Sequence, residues 1–130
     1  TPLWDYIIKV VTERNHSVFA TTHSGDAILG FAKTTSDSGA VRGLIIRLGH
    51  VPFVDMTGLE TLVEVIGKLR KRGIIVLVCE ANPQVRERMH RAGVFEILGR
   101  GKYWKRFSSA MIRCKRLIKD IEERKNKEED

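Results

Sequence analysis

Residues 44–73 read LIIRLGHVPFVDMTGLETLVEVIGKLRKRG, and a change of apolar period inside this stretch decides the fold. Leu44, Ile45, Ile46 and Leu48 form an apolar run broken only by Arg47, short enough for a strand. Pro52 keeps the following residues from continuing as a central strand. From Leu59 the apolar residues Leu59, Leu62, Val63, Val65, Ile66 and Leu69 recur at helical spacing. Glu60 and Glu64 stand early in that helix, with Lys68, Arg70, Lys71 and Arg72 late, the order the helix dipole favours. Gly73 supplies a permissive end. The junction holds Asp55, Met56, Thr57 and Gly58, so free backbone N–H groups meet a carboxylate and a hydroxyl at the helix mouth.

Working outward, the alternation of strand and helix continues. Ile74 to Cys79 (IIVLVC) is largely β-branched and suited to burial on both faces. Asn82 as N-cap and Pro83 in the first helical position begin a helix that runs to about Ala92 and stops at Gly93. Phe95 to Leu98 is read as a short edge strand. Ser108 or Ser109 opens a last helix with Met111, Cys114, Leu117, Ile118 and Ile121 on one stripe. Toward the N-terminus, Tyr6–Val11 and Ser17–Thr21 read as a hairpin across the polar turn Glu13–His16. Ser24-Gly25-Asp26 starts a short helix carrying Ala27, Ile28, Phe31 and Ala32, followed by a polar loop, Thr34–Gly39. This order predicts an α/β fold: a mixed, mostly parallel sheet of about four or five strands with about four packed helices. Residues 1–121 form one domain, and 122–130, with eight charges in nine residues, a solvated tail.

The 130 residues suffice to bury a core without metal or disulfide. Cys79 and Cys114 fit reduced core thiols and a reducing compartment. No apolar run approaches the ~20 residues of a membrane span, and no signal peptide is seen. The net charge is +7, from 23 basic and 16 acidic residues. No zinc-ligand spacing, aromatic RNP-like strand or basic region leading into heptads accompanies it, which argues against nucleic acid. His16, His23, His50 and His90 are scattered, none at metal-ligand spacing, and no nucleophile elbow or phosphate-binding GxxxxGK[ST] loop occurs. Neither a catalytic set, a metal site nor a cofactor site is expected.

The run Val51-Pro52-Phe53-Val54-Asp55-Met56-Thr57-Gly58-Leu59 resembles the central motif of STAS domains, above all those at the cytoplasmic end of SulP-type anion transporters. The similarity continues through Leu69-Arg70-Lys71-Arg72-Gly73, Pro83-Gln84-Val85-Arg86 and Arg91-Ala92-Gly93-Val94, about the middle half of the chain. The second strand departs from it: Ser17-Val18-Phe19-Ala20-Thr21 stands where SulP-type domains commonly carry a Gly-Pro-Leu-Phe-Phe-like sequence. The resemblance implies the STAS fold and a non-catalytic regulatory, protein-interaction domain of a sulfate or anion transporter. It would sit on the cytoplasmic side of the inner (plasma) membrane as part of an integral membrane protein whose membrane portion is not in these residues. The implied partner is that membrane portion; a cytosolic acidic protein, a small anion or nucleotide at the helix mouth, and a second copy of the chain are further candidates.

The alternative is a free-standing anti-sigma factor antagonist. In that branch the residue before the motif glycine is phosphorylated, and Thr57 holds that place. Against both stands simple helix capping by Asp55 or Thr57. A second candidate surface lies before the last helix, where Tyr103, Trp104 and Phe107 interleave with Arg100, Lys102, Lys105 and Arg106. That cluster suits an acidic partner, an anionic headgroup or the transporter's cytoplasmic face, or else the aromatics merely cover the edge strand while the cations stay wet. Trp4 is a further candidate marker of attachment to a membrane helix.

Overall fold

A computed structural model of the chain describes residues 6–12, 17–22 and 41–129, for the first two segments the backbone alone. The helix expected after Ser24, the Thr34–Gly39 loop, the Glu13–His16 turn and Trp4 lie outside the described residues. Five strands, β1 (Tyr6–Thr12), β2 (Ser17–Thr22), β3 (Val41–Arg47), β4 (Ile75–Cys79) and β5 (Tyr103–Trp104), form one mixed sheet in the order β2-β1-β3-β4-β5. β1 pairs antiparallel with β2 and β3; β3–β4 and β4–β5 are parallel. Four helices accompany it among the described residues: α1 (Met56–Lys71), α2 (Pro83–Arg91), α3 (Val94–Leu98) and α4 (Phe107–Glu129).

Alternation along β3 and β4 divides the core in two. Leu44, Ile46, Val76 and Val78 join the helices α1 to α3 on one face, while Ile45, Leu77 and Cys79 meet Ala110, Cys114 and Ile118 of α4 on the other. This double burial explains why both strands are nearly continuous apolar runs. α1 buries Leu59, Leu62, Val65, Ile66 and Leu69, each worth roughly 1.5–3 kcal/mol for a fully buried side chain. α4 approaches the sheet closely because Gly43 has no side chain: a Cβ there would lie 2.5 Å from Cys114 Sγ. The side chains of residues 123–128 in α4 are exposed, and the helix itself continues to Glu129.

One element is corrected. Phe95–Leu98 is helical, not an edge strand. Gly93, at φ 80°, turns the chain, and its carbonyl accepts the Ile97 N–H at 3.2 Å. Val94 and Leu98, four residues apart, are both fully buried, the spacing of a helical turn rather than of a strand. The edge position belongs to β5, where Val78 N–H donates to Lys102 O at 2.9 Å and Glu80 N–H to Trp104 O at 3.2 Å.

Candidate functional site

The carboxyl ends of β3 and β4 open on one rim, the side on which open α/β sheets usually carry their sites. Asp55 is the N-cap of α1: its backbone is extended (φ −91°, ψ 173°) and its Oδ1 accepts the Gly58 N–H at 2.7 Å. One of the mouth's N–H groups, that of Gly58, is thus already met by a carboxylate. Thr57 does no capping. It is exposed within the first turn, its carbonyl accepts the Thr61 hydroxyl at 3.0 Å, and its own hydroxyl has no partner among the described residues. Gly58 is buried, and Met56 is 57% exposed.

The loop before the mouth, 48–54, is held by α2. Asn82 caps α2 through the Val85 N–H at 2.8 Å, while its Nδ2 donates to Val51 O and Pro52 O, both at 3.3 Å. Arg88 Nη1 donates to Val54 O at 2.9 Å, and its guanidinium lies 4.6 Å from the centre of the Phe53 ring. Phe53 nonetheless remains 54% exposed. Phe53 and Met56 therefore present apolar surface beside Asp55 and Thr57 on a tied loop.

A second arrangement at this end of the sheet was not anticipated from sequence. Arg47, closing β3, forms a two-pronged ion pair with Glu80, just after β4, with Nη2 3.2 Å from Oε2. The guanidinium also lies 4.0 Å from the centre of the Phe107 ring. Glu80 adopts φ 69°, a left-handed conformation uncommon outside glycine. The Arg47 hydrogen bond holds its carboxyl below the ordinary carboxylate range against the opposing effect of burial. The lone arginine in an apolar run was the available signal.

The residues of the second candidate surface are divided by the sheet edge. Tyr103 packs edge-on against Phe95, centroids 5.5 Å apart, and donates its hydroxyl to Ala81 O at 3.3 Å. Trp104 packs toward α4, and its Nε1 donates to Gly101 O at 2.9 Å. Arg100, Lys105 and Arg106 are exposed, Lys102 half-buried. Burial pushes the buried thiols of Cys79 and Cys114 up to about 12. Among the described residues no group of His, Cys, Asp and Glu could hold a metal ion, and no helix is long and apolar enough to cross a membrane.

The model of one family, the STAS domain, matches residues 6–110. The STAS domain of a SulP transporter from Vibrio cholerae is 31% identical with a TM-score of 0.62, covering 75% of this chain and 73% of that one. A sulfate transporter family protein from Wolinella succinogenes is 25% identical with a TM-score of 0.63, covering 73% and 76% respectively. High affinity sulfate transporter 1 of Stylosanthes hamata is 27% identical over 73 residues, 56% of this chain but only 11% of that transporter. The matched span takes in the Asp55 mouth and all five strands of the sheet: the chain belongs to the STAS domain family, and within it is similar to the STAS domains of SulP transporters.

Proposed function

We propose that this chain is a non-catalytic regulatory domain of a SulP-type sulfate or anion transporter, held on the cytoplasmic side of the membrane and acting by protein contact. The observation that carries the reading is the rim, where Phe53 and Met56 stay exposed on a braced loop around Asp55 and Thr57. Exposed apolar side chains on an ordered, polar-rimmed surface suit a protein partner. The relatives named as sulfate transporters support the membrane portion of the same polypeptide as that partner. Arg100, Lys105 and Arg106 offer a second, cationic contact toward that portion or an acidic cytosolic protein. The thiols, held protonated, support the non-catalytic part of the reading. The test is anion uptake by the whole polypeptide in membrane vesicles. Phe53→Glu with Met56→Glu should alter the uptake rate while the isolated domain melts as wild type does. Wild-type uptake by that variant would remove the rim from the contact.

A second reading, a free-standing antagonist switched by phosphorylation of Thr57, is favoured by one fact: the Thr57 hydroxyl is exposed and spared from capping. A reading frame without membrane spans, together with ATP-dependent phosphorylation at Thr57 by a partner kinase, would select it over the first.

A further inference from the structure

Residues 99–102, Gly-Arg-Gly-Lys, carry the chain from α3 around the sheet edge into β5. Gly99 and Gly101 have φ 90° and 74°, a conformation that side chains resist. Each glycine faces an arginine. Arg70, from the end of α1 on one face of the sheet, donates Nη1 to Ile97 O at 2.6 Å, and a Cβ on Gly99 would lie 3.7 Å from that same atom. Arg113, from α4 on the other face, brings Nη2 to 3.5 Å from where a Cβ of Gly101 would be. Lys102, the residue after Gly101, is half-buried. Burial first, then the charges of Arg70 and Arg113, holds its ammonium below the ordinary lysine range.

These cations lack a counter-charge. Among the described residues Arg47, Lys68, Arg91, Arg116 and Lys119 each have a carboxylate within 4.0 Å, and Arg70, Lys102 and Arg113 have none. Arg70 and Arg113 are exposed and Lys102 is half-buried, and like charges gathered around one loop repel one another unless an anion joins them. Two guanidinium groups and an ammonium beside a loop of bare glycine backbone suit a compact oxyanion with several acceptor oxygens. The α1 mouth is the poorer place for it, because Asp55 already occupies the Gly58 N–H. We propose that Arg70, Lys102 and Arg113 around the Gly99–Gly101 loop form a binding site for a tetrahedral oxyanion, a phosphoryl or sulfuryl group. The site does not depend on the chain serving a transporter.

Trp104 reports on it directly, since its indole N–H is bonded to Gly101 O. In a Trp4→Phe background, phosphate and sulfate are titrated at fixed ionic strength against chloride, following Trp104 fluorescence and the Gly99 and Gly101 amide resonances. A saturable response is expected. Lys102→Gln and Arg113→Gln should each weaken it about tenfold or more, and Lys115→Gln, an equal charge change elsewhere on α4, should not. Melting curves establish that each variant is folded. Vesicles containing phosphatidic acid, compared with phosphatidylserine, identify the source. Preference for the phosphomonoester, lost in Lys102→Gln, assigns a lipid headgroup; a response to the soluble anions alone assigns a free ligand. Absence of any saturable response, equal binding to both vesicles with none to soluble anion, or wild-type titration by Lys102→Gln overturns the site.

Discussion

Asp55 and Thr57 stand two residues apart at the same helix mouth and do separate jobs. Asp55 completes α1 by accepting the Gly58 N–H; Thr57 spends nothing on the fold. Asp55→Ala should therefore lower stability by about 1 kcal/mol. Thr57→Ala should stay within about 0.5 kcal/mol, as read by urea melts of the two variants side by side. The opposite ranking would return the cap to Thr57 and leave its hydroxyl unavailable for modification. The sequence offered either of them as the cap, since both residue types are good at it, but the choice lies in the extended backbone of Asp55. The Arg47–Glu80 pair was less legible still. Its partners are 33 residues apart, brought together by the parallel pairing of β3 with β4, and no local pattern records such a crossing.

At the scale of elements, β3 and α4 approach closely at Gly43. Gly43 leaves room for Cys114, and an added methyl would overlap its sulfur. Gly43→Ala is expected to cost about 1–3 kcal/mol through overpacking. Cys114→Ala in the same chain should recover much of that loss, a coupling that a double-mutant cycle measures. Additive costs would mean that the strand, not the sulfur, resents the methyl. The strands β3 and β4 and the helices α1, α2 and α4 were legible because their periods, caps and terminating glycines agree. α3 was not: five residues between two glycines show too little period to separate strand from helix, and the left-handed turn at Gly93 decides. With that element misplaced, β5 also went unseen, since two residues carry no pattern of their own.

For the whole molecule, the sheet is covered on two sides by unequal means. Several helices share one face, while among the described residues α4 covers Ile45, Leu77 and Cys79 on the other. Truncation before Phe107 should abolish cooperative melting, whereas truncation after Glu122, which removes the exposed residues 123–128, should shift the midpoint by little. A cooperative transition in the shorter chain, followed by circular dichroism, would show that the first face suffices. The rim itself is fastened differently from either face. Asn82 and Arg88 of α2 grip the carbonyls of Val51, Pro52 and Val54, so the loop bearing Phe53 has little conformational freedom left to lose. A partner docking there gains its contacts without first ordering the segment that makes them, which favours association by entropy even where the contact area is small.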